Sequence, residues 1–213
     1  MSRSVAGIAI PDSTMAQAAS ATVRAVVTEI LYRHSMRVFL FATLIGQRRN
    51  LRIDAELLYV AALFHDVGLS TPYRASHKRF EVDGANAVRR FLTGYEVPPD
   101  DIAAVWQAVA LHTTFGINTE MSPLTALIAA GVEMDLFGTH FGQINGDDRD
   151  AVLREFPRGP AFKEQIIEAF AEGMGHRPVT TFGTVNADVL DRCDPNYRRL
   201  NFCGLILGSN WKE

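Results

Sequence analysis

His65 and Asp66 stand side by side in Ala61-Ala62-Leu63-Phe64-His65-Asp66-Val67-Gly68, and imidazole next to carboxylate is a donor set that can hold a divalent cation or move a proton. Leu57, Leu58 and Ala61 recur at helical spacing, and His65 lies one turn beyond Ala61, on the same buried face. A buried imidazole needs a partner. Gly68 reads as the stop of this helix, and a chain leaving a helix can aim two adjacent side chains at one point. His65 and Asp66 then either share an ion or form a core histidine with its orienting carboxylate.

Three further residues have chemistry within reach of such a pair. His34 opens an earlier helix in Tyr32-Arg33-His34-Ser35-Met36-Arg37-Val38, with Arg37 projecting from a similar side, as a surface ion pair or as part of a site. His112 leaves an apolar helix beside Thr113 and Thr114, which suits a wet active site. Asp135 falls in the strongly apolar run Pro123 to Phe137, where a lone carboxylate is costly to bury, so a metal or a salt bridge must satisfy it.

The elements that would position these groups are helical. Asp12 or Ser13 caps a helix towards Thr28, and a wide apolar stripe of Leu31, Val38, Phe41, Leu44 and Ile45 runs from Glu29 to Gly46. Asp54 caps the helix that delivers His65 and Asp66. Further helices are predicted from Phe80 to Thr93, from Pro99 to Leu111, from Pro123 to Phe137, from Phe162 to Phe170 and from Thr184 to Leu190. Met1 to Pro11 reads as a loose arm, Gly138 to Asp150 as a glycine- and acid-rich connection without the calcium-loop pattern, and Phe202 to Leu207 as an apolar tail that covers the core or a partner subunit. Between Ser70 and Arg79 no helical period is present; this polar loop borders the pair, and His77, Lys78 and Arg79 are either an anion-binding group or solvated.

The chain has 213 residues, 47% of them hydrophobic, enough for one sizeable core. The net charge of -3, from interspersed acids and bases, leaves no basic stripe for nucleic acid or an anionic membrane. Cys193 and Cys203 form no Cys-x-x-Cys pair, and with no signal-peptide pattern the expectation is two reduced thiols in a cytoplasmic protein. Apolar segments at both termini favour a homo-oligomer.

The order His34, His65-Asp66, Asp135 resembles that of the HD metal-dependent hydrolase superfamily. That resemblance implies an all-α, single-domain HD-type bundle over residues 1–213, with its core at about 29–137, an N-terminal arm 1–28 and a helical extension 138–213. It also implies a divalent metal held by His34, His65, Asp66 and Asp135. More specifically, Ile10-Pro11-Asp12-Ser13, the His34 and His65-Asp66 segments, Arg79-Phe80-Glu81-Val82-Asp83-Gly84-Ala85 and Ala110-Leu111-His112-Thr113-Thr114-Phe115-Gly116-Ile117 are together similar to the cyanamide hydratase-like branch. The similarity runs from about Ile10 to about Phe137.

Membership of that branch implies a zinc-dependent hydro-lyase that adds water to a small nitrile, cyanamide giving urea. Asp66 would take the water proton and pass it on, His112 and Thr113 would position or protonate the substrate, and Arg37, Lys78 and Phe80 would contact it. Phe80 stands where two-metal HD proteins usually carry one more histidine, four residues before Gly84, so a single ion is expected. Zinc suits the nitrogen and oxygen donors, with iron, manganese or nickel as alternatives. The alternative activity is hydrolysis of a nucleoside monophosphate or another phosphate ester, with Arg37, Lys78 or Arg79 clamping the phosphate. A reading from another class is a catalytically silent HD module that binds a nucleotide or a protein.

Overall fold

Ser13 accepts a hydrogen bond from the Ala16 amide, and Asp54 accepts from those of Glu56 and Leu57, so polar caps start two of the expected helices immediately before their apolar runs. The computed structural model describes residues 3–211, and among these it has ten α-helices and one two-stranded antiparallel sheet. The helices are α1 (Thr14–Arg24), α2 (Glu29–Arg48), α3 (Ala55–Phe64), α4 (Phe80–Thr93), α5 (Pro99–Leu111), α6 (Pro123–Phe137), α7 (Gly146–Glu155), α8 (Phe162–Met174), α9 (Asn186–Cys193) and α10 (Phe202–Leu207). The fold is all-α. None of these helices is long and apolar enough to cross a membrane.

The main core lies where α2 runs along α6, with α3 on α2 and α4 on α5. Every residue of α3 from Leu58 to Phe64 is buried, as expected of a helix that is apolar all round. Gly131 brings α6 directly onto α2: a Cβ there would sit 2.5 Å from the Val38 carbonyl oxygen and 3.1 Å from the Ala42 Cβ. A second, smaller cluster of Leu31, Leu69, Phe80, Phe162, Ile166, Met174 and Leu190 seats α8 and α9 on the start of α2 and on the 3-10 turn Val67–Leu69.

A buried arginine joins that second cluster to the first. Arg177 donates to the Gly68 carbonyl at 2.5 Å, to those of Gly173 and Lys78 at 3.0 and 2.9 Å, and to Asp83 Oδ2 at 2.5 Å. Breaking a buried pair of this kind by removing one partner typically costs about 3–5 kcal/mol.

Four segments differ from the sequence expectation. The arm before α1 is a small hairpin, β1 (Ser4–Val5) paired with β2 (Ile8–Ala9), and it is held because Val5, Ile8 and Ile10 bury their side chains in the core. Met1 and Ser2 lie outside the described residues. The glycine- and acid-rich connection contains α7, capped by Asn145, which accepts from the Asp148 amide; two acids in its first turn complement the helix dipole. Gly68 does not stop α3, which ends at Phe64; its lack of a side chain instead lets Phe80 approach, for a Cβ would lie within 3.0 Å of the Phe80 Cα. The tail folds as α10 with Phe202, Ile206 and Leu207 exposed, so it does not cover the core.

Because the Val38 carbonyl is backbone and cannot swing aside, Gly131→Ala is expected to destabilise by about 1–3 kcal/mol. At this chain length each kcal/mol lowers the melting temperature by about 2–4 °C, readable by calorimetry. Gly142→Ala, where a Cβ meets nothing within 4 Å, is the control. Equal melting of the two variants would contradict the α2–α6 contact.

Candidate metal centre

Four helices deliver the chemistry-bearing side chains to one point. His34 is in the second turn of α2, His65 and Asp66 directly follow α3, His112 directly follows α5, and Asp135 is in the last turn of α6. His65 and His112 use the same local device: Nδ1 lies 2.7 Å from the carbonyl oxygen three residues back, that of Ala62 in one case and Val109 in the other. His34 Nδ1 lies 2.6 Å from Asp135 Oδ2. All three partners are acceptors, so each Nδ1 carries the proton and donates it, and each Nε2 is left with a lone pair.

Those lone pairs converge on Asp66. His65 Nε2 is 3.1 Å and His34 Nε2 3.7 Å from Oδ2, and His112 Nε2 is 3.7 Å from Oδ1. Donor atoms of His34, His65 and Asp66 all lie within 4.8 Å of one another, and all three residues are buried. Among the described residues, His34 Nε2, His65 Nε2 and both Asp66 oxygens have no hydrogen-bond partner. One such buried orphan costs about 1–3 kcal/mol. Four acceptors facing one another repel unless a positive charge sits between them, and this is the observation by which a divalent cation fits the site.

The electrostatics follow the same logic. Burial would raise the Asp66 pKa, but the surrounding imidazoles, His65 foremost, outweigh it and hold the carboxyl well below its usual range. Desolvation is also the largest influence on His65 and would lower it; the adjoining Asp66 carboxylate outweighs this and raises it. His34 is lowered, chiefly by burial, and so stays neutral with Nε2 free.

Asp135 stands apart from that group. Arg37 grips it with a fork, Nε to Oδ1 at 2.7 Å and Nη2 to Oδ2 at 2.9 Å, while Oδ2 also accepts from His34. Burial alone would raise Asp135; the His34 hydrogen bond and the Arg37 fork outweigh it and keep it ionised far below the usual range. In this geometry Asp135 orients His34 from behind, and it lies outside the group of His34, His65 and Asp66 whose donor atoms are within 4.8 Å of one another. Arg37 is fully buried, and its Nη1 donates to the Phe156 carbonyl at 3.2 Å.

A cavity of about 470 Å³ opens on the other side of Asp66. His112, Thr113 and Asn186 line it beside Asp66, and His34 and His65 lie behind them. Thr113 donates its hydroxyl proton to Glu81 Oε1 at 2.6 Å, so it can accept from a bound molecule but not protonate one. Lys78 is exposed and does not line the cavity. Phe80 is buried behind His112, its ring 5.7 Å away and edge-on, and thus steadies the imidazole rather than a substrate.

Glu81 is a residue that sequence reasoning passed over. Fully buried, it accepts from Arg79 Nη2 at 2.8 Å, from Thr113, and from Asn186 Nδ2 at 3.0 Å, tying α4, α5 and α9 together beneath the cavity. Burial would raise its pKa; the Arg79 guanidinium outweighs that and lowers it. The one local signal was its place in the first turn of a helix beside an arginine.

The chain is thus an all-α bundle with a buried imidazole and carboxylate group beside a cavity. Within it, residues 31–132 match the HD domain family, whose members are in general metal-dependent hydrolases. No curated protein matches the chain.

Arg37→Met strands the Asp135 charge and is expected to cost about 3–5 kcal/mol at pH 7 in the metal-free protein, measured by urea unfolding. A carboxyl depressed in the fold stabilises it above the unfolded pKa of about 3.9, and loses that contribution as pH falls towards its folded value. The difference between wild type and Arg37→Met should therefore narrow below about pH 4. A gap that does not change with pH would rule out charge pairing as the role of Arg37.

Proposed function

We propose that the chain is a metal-dependent hydratase that adds water across a nitrile, cyanamide to urea being the reaction its sequence resemblance implies. The carrying observation is the ring of buried acceptors around Asp66 beside a largely apolar cavity. His34, His65 and Asp66 would hold one divalent ion, zinc suiting the donors best. When bound, such an ion lowers the pKa of a coordinated water towards neutrality.

The residues around it supply the rest. Asp66 is shared between the ligand group and the cavity, and one of its oxygens can accept a proton from the attacking water. His112 Nε2, 3.7 Å from Oδ1, would take that proton through a bridging water or by a small closure of the gap, and pass it to the nitrile nitrogen. The new bond joins water oxygen to the nitrile carbon, one π bond passes its electrons to nitrogen, and the imidic acid tautomerises to the amide or to urea. Thr113, held by Glu81, accepts from the nitrogen as it gains hydrogen.

The phosphate-ester alternative needs cations at the reacting end. Arg37 and Arg79 are both committed to buried carboxylates, and Lys78 points elsewhere. Among the cavity-lining cations, Arg158 donates to the Asp135 carbonyl and lies over the Phe162 ring, and Lys163 is exposed.

Zinc-loaded protein should release urea from cyanamide or amide from a simple nitrile. Inorganic phosphate from nucleoside monophosphates, with no nitrile hydrated, would reject the proposal in favour of the alternative. His65→Ala is expected to lose stoichiometric metal, seen by elemental analysis. His112→Ala should keep the metal and lose about 10²–10⁴ in turnover, as removal of a proton-transfer group does.

A further inference from the structure

Asp66, His112 and Thr113 make one part of the cavity polar, and Arg158, Lys163 and Asp188 also line it, but most of its lining is apolar. Its walls come from Val132 and Leu136 on α6, from Ile166 and Phe170 on α8, and from Val189 on α9. Most of that wall lies beyond residue 132, where the HD match ends. The volume of about 470 Å³ is in the range of pockets that enclose whole organic ligands. At about 30 Å³ for each water, cyanamide, with three non-hydrogen atoms, would leave most of it unfilled.

We infer that the substrate carries an apolar alkyl or aryl body of roughly ten non-hydrogen atoms, which lies between α6, α8 and α9 while its uncharged polar head meets Asp66 and His112. The head group rests on the nitrile reading above; the body rests on the walls alone. Water is a poor occupant of such walls, so each methylene transferred from solvent strengthens binding.

Primary amides, the product class of nitrile hydration, serve as unreactive probes. Calorimetric titration of propionamide, hexanamide and 4-phenylbutyramide into zinc-loaded and metal-free protein should give affinity rising about fourfold per added methylene. Ile166→Trp fills the space beside α8 and should abolish that dependence, with Val189→Phe as a second filling variant should the first fail to fold. Val179→Trp, at a residue that is exposed and off the cavity, should keep it. Equal affinity for short and long amides, no measurable binding of the long ones, or a length dependence that survives both filling variants would overturn the inference.

The matching nitriles, assayed in parallel, separate the two claims. Graded amide binding without hydration of any nitrile leaves the apolar site standing and removes the nitrile chemistry. Hydration of cyanamide and of 4-phenylbutyronitrile at equal kcat/KM does the reverse.

Discussion

Three imidazoles are held with their Nδ1 protons turned outward onto acceptors, so that three Nε2 lone pairs are presented to a single carboxylate. This arrangement is unfavourable by itself, since lone pairs and carboxylate oxygens repel and no hydrogen bond relieves Asp66. The fold must therefore supply enough stability elsewhere to hold it. The raised His65 and the depressed Asp66 express the same strain, because in the absence of a cation a proton on the imidazole is the nearest source of positive charge. A divalent ion would replace that proton, coupling occupancy to proton release.

The surrounding architecture is a set of close approaches that keeps those groups from relaxing apart. A Cβ at Gly84 would lie 2.9 Å from the Phe64 carbonyl and 3.1 Å from that of His65, so α4 passes against the point where α3 gives way to the His65-Asp66 turn. Gly173 brings α8 against Leu69 in the same way, and Arg177 fastens the far side of that turn through the Gly68 carbonyl. Behind His34, the Arg37 fork fixes Asp135, and Asp135 fixes the ring. Imidazole orientation is thus set by contacts one layer out, where two of the three anchors are backbone carbonyls.

The helices and the central pair were legible because their signals are local. Caps at Ser13 and Asp54, the all-apolar α3 and the emergence of His65 and His112 at helix ends can each be read within a dozen residues. From its spacing Asp135 was legible only as a carboxylate that needed a partner: position along α6 cannot tell a metal ion from a guanidinium, and the Arg37 fork comes from 98 residues away. Asn186 and Arg177 were invisible for the same reason, since the carboxylates they meet are remote in sequence and their types are ordinary on a surface; Glu81 offered only its neighbour Arg79. In α7 the glycine and the acids hid a helix whose start is set by the Asn145 cap, and in the N-terminal hairpin two-residue strands are too short for any period to appear.

The division of the cavity between two parts of the chain has a chemical consequence. Asp66, His112 and Thr113, within the HD match, line one part of it, whereas α8 and α9 supply much of the apolar wall together with Lys163, Asn186 and Asp188. A phosphate dianion in such surroundings would lose its hydration with only Arg158, engaged with the Asp135 carbonyl and Phe162, and the exposed Lys163 among the lining cations to replace it. A neutral nitrile loses little on entry and acquires charge only as its carbon is attacked, at the end where Asp66 and His112 stand. On the proposed reading, selectivity for an uncharged ground state and assistance to a polar transition state would arise from one geometry, the walls acting before the reaction and the polar end during it.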